Sequence, residues 1–188
     1  MTPSARTPMR QRKLSKRELL GRLRKTRLLL CDVDGVLTDA SVFIGAPQEI
    51  KRFNIHDGLG MVLLRKHGLK IGWVSSRPSA ATDLRAKELK IDFLRQEKGR
   101  KVDIIEDLLR QEGYTWPEVC YAGDDIVDLG TLCRAGVAIS VPNAVAEAKQ
   151  AAHYITSASG GNGAVREIIE LILGAQDKWA STVAEQSR

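Results

Sequence analysis

Residues 28–39 read Leu-Leu-Leu-Cys-Asp-Val-Asp-Gly-Val-Leu-Thr-Asp, an apolar run that ends in two carboxylates and a glycine. A short run without a polar face is the pattern of a strand buried on both sides in a parallel sheet. Asp32 and Asp34 follow it directly, at the strand edge where open α/β sheets bind ligands. Two carboxylates this close repel each other unless a divalent cation or a shared proton lies between them. Gly35 then allows the chain to turn sharply away. Alone, an Asp-x-Asp at a strand end reads equally well as a loop or cap pair.

Similar runs recur along the chain, at Ile71–Ser75, Ile91–Leu94, Val119–Ala122, Val137–Ser140 and His153–Thr156. Amphipathic stretches separate them: Gly58–His67, Ser79–Leu89, Lys101–Gln111, Ile126–Arg134, Ala144–Gln150 and Ala164–Leu173. The alternation predicts an α/β fold, a Rossmann-like parallel sheet with helices on both faces. Ser41–Ile55 breaks the pattern and reads as two short strands around Gly45-Ala46-Pro47, a protruding β-hairpin after the first strand.

The 188 residues, 43% hydrophobic and 28% charged, suit one globular domain and exclude a disordered chain. No run approaches the ~18 apolar residues of a membrane span, and no signal peptide is legible. Cys31, Cys120 and Cys133 lack metal-ligand spacing and read as reduced core thiols, so a cytoplasmic location is expected. The formal charge of +6 is unevenly spread. Residues 1–27 hold ten Lys/Arg against Glu18 alone, and the rest is mildly acidic. No nucleic-acid-reading element accompanies the basic segment, so no nucleic-acid or membrane partner is expected. Ser15-Lys-Arg-Glu18 is a capping box with Leu14 and Leu19 as its staple, predicting a helix from Ser15 to about Lys25. The expected organisation is a basic disordered arm over 1–14, one domain over 15–175 and a polar tail over 176–188.

A second acidic group, Gly123-Asp124-Asp125-Ile-Val-Asp128, follows the run at Val119–Ala122. Helix capping accounts for one of its acids and not for three. With Asp32 and Asp34 they make a hard-oxygen site suited to Mg²⁺. Ser75 and Ser76 end the strand at Ile71, and Lys101 opens a helix. A hydroxyl and an ammonium beside such a cluster are what a phosphoryl group requires.

These four motifs, in this order and spacing, resemble the haloacid dehalogenase (HAD) superfamily of phosphohydrolases. Cys31–Asp39, Phe53-Asn54, Asp57-Gly58, Gly123–Asp128 and Gly160–Glu167 are most similar to its 3-deoxy-D-manno-octulosonate 8-phosphate (KDO 8-phosphate) phosphatase branch, over about Leu28 to Leu173. The resemblance implies a HAD-like fold, Asp32 as nucleophile and Asp34 as acid–base residue. It implies Mg²⁺ held by Asp32, the Asp34 carbonyl and Asp124, with Asp125 or Asp128 behind them. Ser75 and Lys101 would grip the transferring group. Thr38, Asn54, His56, Gly58, Ser76, Arg77 and Arg166 would contact substrate, with Arg77 suited to a carboxylate. It further implies a sugar-acid phosphate as substrate, a role in lipopolysaccharide precursor synthesis, and a homotetramer whose hairpins form a shared core. The Gly160–Gly163 loop would then reach a neighbouring site.

The spacings Asp34–Ser75 and Ser75–Lys101 leave no room for a separate cap domain. The branch acting on deaminoneuraminate 9-phosphate is the nearest alternative, and it tends towards an acid at the position of Arg77. Ser76, His56 and Asn162 depart from the common pattern. A receiver-like signalling module also unites Asp, Mg²⁺, Ser/Thr and Lys, but places its acid pair and phosphate acceptor in a different order. A catalytically idle oligomeric relative would not need every motif. His67 and His153 read as surface or core residues, and Trp73, Trp116 and Trp179 as packing residues.

Overall fold

The computed structural model describes residues 12–45 and 49–187. Six of the seven residues over Cys31–Leu37, which end the first strand and form the turn after it, are buried, and Asp34 is half-buried. That strand, β1 (Leu28–Cys31), lies at the middle of a six-stranded sheet. Its neighbours are β4 (Lys70–Ser75), β5 (Phe93–Gln96), β6 (Val119–Ala122), β7 (Val137–Ser140) and β8 (Tyr154–Ile155). The order is β5-β4-β1-β6-β7-β8, with every pair parallel. The chain winds from β1 out to β5, then returns to β6 and proceeds the other way, so the switch point falls between β1 and β6.

Side-chain alternation along each strand feeds two cores. Leu29, Cys31, Ile71, Trp73, Cys120 and Ala122 face α2 (Ile55–Lys66) and α7 (Ala164–Ala175). Leu28, Leu30, Val74, Val119 and Tyr121 face α4 (Lys101–Glu112) on the other side. Trp73 is wholly buried and stacks on Phe53, ring centres 5.9 Å apart. Cys31 and Cys120 are buried free thiols, and Cys133 is half-buried.

Helix α1 (Lys16–Leu23) starts with the expected reciprocal cap: Glu18 N–H donates to Ser15 Oγ, and Ser15 N–H to Glu18 Oε2. It ends two residues before Lys25, where Arg24 Nε donates to the Ala175 carbonyl at 2.8 Å and ties the segment to α7. Residues 1–11 of the expected basic arm lie outside the described residues.

The hairpin is present but minimal, β2 (Phe43–Ile44) against β3 (Glu49–Ile50), antiparallel. Its expected turn residues Ala46 and Pro47 lie outside the described residues. Further shifts are local. The strand expected from Ile91 begins at Phe93, because Asp92 is used to cap the neighbouring edge through the Ile71 N–H. The helix expected over Ile126–Arg134 is a 3₁₀ turn, Ile126–Asp128, followed by the single turn α5 (Leu129–Leu132). The remaining helices are α3 (Ala80–Leu89), α6 (Ala146–Ala151) and, within the polar tail, α8 (Trp179–Gln186).

Candidate active site

The site begins where β1 runs out of strand partners. Asp32 N–H still donates to the Ala122 carbonyl, 2.9 Å, which carries the ladder with β6 one residue beyond the strand. The chain then forms a wide turn over Val33–Leu37, closed by Thr38 N–H on the Val33 carbonyl at 3.1 Å. Gly35 has φ 104°, and a Cβ there would stand 1.9 Å from Asp124 Oδ2. The glycine is therefore required twice, by backbone conformation and by the approach of the second acidic motif.

Lys101, the first residue of α4, is buried between two carboxylates. Its Nζ lies 2.6 Å from Asp32 Oδ1 and 2.8 Å from Asp128 Oδ1. Asp128 also accepts from the Tyr121 hydroxyl at 2.5 Å, and from the Asp124 and Asp125 N–H groups at 3.0 and 3.1 Å. All its acceptor capacity is thus spent on shaping the second motif. Asp125 is exposed and caps the following turn through the Ile126 N–H. The three acids have separate duties: Asp124 faces inward, Asp125 caps, and Asp128 braces.

Asp32, Asp124 and Asp128 each bring an oxygen within 4.8 Å of the others. Asp124 Oδ1 is buried without a hydrogen-bond partner, an oxygen open to a ligand or cation. Burial, reinforced by the Asp128 charge, holds Asp32 well above the ordinary carboxylate range. Burial also lifts Asp124 to about 6. Lys101 alone does not offset this concentration of negative charge; a hard divalent cation fits the all-oxygen donor set and restores both groups to carboxylates.

Asp34 leads away from this cluster towards the hairpin. Lys51, just past β3 and with a fully buried side chain, donates to Asp34 Oδ2 at 3.0 Å and lies 2.7 Å from Oδ1 at a more oblique angle. Lys51 also reaches Thr82 of α3, and Glu49 lies 3.8 Å away. Glu49 accepts from the Arg77 guanidinium and from the Ser79 hydroxyl. Ser75 is buried at the end of β4, its hydroxyl donating to the Arg77 carbonyl and accepting the Arg77 N–H, both at 3.0 Å. Ser76 is half-buried beside it.

The other expected substrate contacts have visible structural duties. Thr38 Oγ1 accepts the Ala40 N–H at 3.3 Å inside the first-motif turn. Asn54 caps α2 by accepting from His56 and Asp57 N–H groups, which leaves the His56 side chain exposed. Gly58 makes room for α3: a Cβ there would meet Arg85 Nη2 at 2.5 Å. Arg166 donates to Glu170 at 2.6 Å and lies over the Trp179 ring, 5.0 Å from its centre, so its guanidinium packs α8 onto α7.

Comparison with known proteins adds independent information. No family model matches the chain. The 3-deoxy-D-manno-octulosonate 8-phosphate phosphatase of Yersinia pestis is 35% identical over 162 residues, 86% of this chain and 87% of that protein. The chain belongs to this phosphatase family, within the HAD superfamily. A crystal structure of the Moraxella catarrhalis 3-deoxy-D-manno-octulosonate 8-phosphate phosphatase in complex with magnesium ion, phosphate ion and KDO superposes with a TM-score of 0.89. It is 36% identical and covers 91% of this chain and 99% of that one. A Legionella pneumophila structure assigned to HAD subfamily III A gives a TM-score of 0.86 at 34% identity, covering 89% and 93%.

Three residues that build the site carry no signal of it in the sequence. Lys51 was hidden because a lysine in a short hairpin carries no signal until the hairpin folds back over Asp34. Tyr121 looks like any apolar strand residue, yet its hydroxyl supports Asp128. Asn143 joins the first-motif turn to the Gly160 loop: its Nδ2 donates to the Gly35 carbonyl at 2.9 Å and its Oδ1 accepts from Gly160 N–H at 2.8 Å. Gly160 and Gly161 lie directly on the first-motif turn of their own chain, where a Cβ on Gly160 would meet the Gly35 carbonyl at 1.8 Å. That contact is the physical reason for the paired glycines.

Proposed function

We propose that the protein hydrolyses KDO 8-phosphate to KDO and inorganic phosphate with Mg²⁺, through an aspartyl-phosphate on Asp32. One observation carries this reading: Asp32, Asp124 and Asp128 converge at the β1–β6 switch point, with Lys101 bridging the first and last. Asp32 attacks phosphorus in line with the departing sugar oxygen, and Asp34 gives that oxygen its proton. A water molecule then attacks the acyl phosphate, and Asp34 takes the proton back. Lys51 holds the Asp34 carboxyl at the mouth of the site during both steps. Lys101 places positive charge beside the phosphoryl oxygens, and Ser75 and Ser76 offer hydroxyl donors next to them. Asp32, Asp124 and the Asp34 carbonyl would hold magnesium, which when bound would offset the repulsion between an anionic nucleophile and an anionic ester. Arg77, near the hairpin, is the candidate for the sugar-acid carboxylate.

The reading extends to a single catalytic domain over 15–175 and to a homotetramer in the cytoplasm, feeding lipopolysaccharide precursor synthesis. The tetramer is supported by the exposed apolar side chains of the hairpin. Phosphate release from KDO 8-phosphate, measured with Mg²⁺ and with excess chelator, tests the chemistry. Release is expected to require the metal and to vanish in Asp32→Asn; release that survives either change overturns the mechanism.

A further inference from the structure

Opposite the catalytic edge, α1 crosses the N-terminal ends of the strands and leaves a cleft of about 530 Å³ against the start of β7. Its lining includes Arg12, Arg22, Lys25, Arg134 and His153, over an apolar floor, and no carboxylate. Glu18 neutralises Arg12, and Glu106 lies 3.3 Å from Arg134. Arg22 and Lys25 have no carboxylate partner among the described residues. Residues 1–11 carry two further arginines and no acid, so the preceding segment supplies no counter-charge in sequence. The cleft is thus a concave surface with two uncompensated cations, Arg22 and Lys25, on a body that is otherwise mildly acidic.

Hydrogen bonding sharpens the point. His153 Nδ1 accepts the Ala138 backbone N–H at 2.9 Å, which places the proton of the neutral ring on Nε2. That nitrogen lies 3.3 Å from Arg22 Nη1, which is also a donor and sends one of its hydrogens to the Gly136 carbonyl at 3.0 Å. Two N–H donors on facing groups therefore meet with no acceptor between them. Burial, with Arg22 beside it, lowers His153 to about 4, in keeping with a neutral ring. Convergent donors with unpaired cations around them are the chemistry that binds phosphoryl oxygens. The volume is that of a small-molecule site.

We propose that this cleft is a second binding site, distinct from the catalytic centre, for a small anion bearing several phosphate groups. Arg22 and the His153 Nε2–H share one phosphoryl oxygen, and Lys25 meets a further charge of the same ligand.

Calorimetric titration of the full chain with tripolyphosphate in metal-free buffer tests the assignment. One saturable site is expected, weakened at least about tenfold by Lys25→Glu and by Arg22→Gln. Phosphatase turnover with Mg²⁺ stays at the wild-type level in Lys25→Glu, an exposed position whose charge reversal does not threaten folding. Asp32→Asn binds tripolyphosphate as the wild type does. Absence of saturable binding, unchanged affinity in Lys25→Glu, or loss of binding in Asp32→Asn alone would each overturn the proposal. So would a short single-stranded oligonucleotide binding more tightly than tripolyphosphate, which would make the cleft part of a nucleic-acid surface.

Discussion

Asp128 shows how one side chain governs a site without meeting the substrate. Its two oxygens take four donors: Lys101, Tyr121 and the Asp124 and Asp125 amides. Asp128→Asn replaces one acceptor by an NH₂ that faces donors, and leaves Lys101 with only Asp32 for a counter-charge. Breaking a buried charge pair in this way costs about 3–5 kcal/mol. Urea unfolding should show a loss of that order, with phosphate release falling at least about 10²-fold as Lys101 and Asp124 shift. A variant of unchanged stability would refute the bracing role. Gly35→Ala is the complementary case. The φ of 104° disfavours any side chain, at about 1–2 kcal/mol, and the new Cβ would displace the Asp124 carboxylate. Activity should fall far more than stability; the two measured together separate displacement of the carboxylate from simple unfolding.

At the scale of elements, apolar strands alternating with helical patterns made the parallel sheet legible, because burial on both faces leaves a continuous hydrophobic run. The catalytic edge was legible for the same reason: Asp32 follows such a run directly, Ser75 ends one, and Asp124 stands one glycine beyond another. Lys51 and Asn143 were not, since a residue that acts by folding across to another loop leaves no local period or spacing. Nor was the brevity of α5, where Asp125 and Asp128 both turn back on the backbone and use up the first helical turn. His153, expected at the surface or in the core, joins β7 to the start of β8 by accepting the Ala138 N–H. Only an unprotonated Nδ1 can accept that bond. Burial and Arg22 depress its pKa from 6.5 to about 4, so below pH 6.5 the unfolded chain takes up a proton that the folded chain refuses. Stability from this residue is complete above pH 6.5 and drains away as the pH falls towards 4. His153→Asn places a non-titrating oxygen near the Nδ1 position. The wild-type unfolding free energy minus the variant's should fall by about 1–2 kcal/mol between pH 7.0 and 5.0, because the buried carboxylates Asp32 and Asp124 titrate alike in both chains; an unchanged difference would remove His153 as the source.

For the molecule as a whole, the hairpin is the feature that a single chain does not explain. Two-residue strands have little stability alone, yet Phe43, Ile44 and Ile50 are 62, 87 and 65% exposed. Apolar groups displayed on so small an element suit the subunit contact proposed for this hairpin. The hairpin is also tied to chemistry, because Lys51 leaves β3 to hold Asp34 and Glu49 holds Arg77. Assembly that fixes the hairpin would therefore fix Asp34 and Arg77, the proposed acid–base and carboxylate-binding residues, together, and would shield the open site that a capless fold leaves exposed to water. Ile44→Asp puts a charge into the proposed shared core without touching the catalytic carboxylates. Light scattering after size exclusion should show a tetramer for the wild type and smaller species for the variant. Turnover should fall while Mg²⁺ still stabilises the chain, since the proposed cation ligands Asp32 and Asp124 lie just beyond β1 and β6 rather than on the hairpin. A variant that remains tetrameric, or one that dissociates at full activity, would separate the hairpin from assembly in the first case and assembly from catalysis in the second.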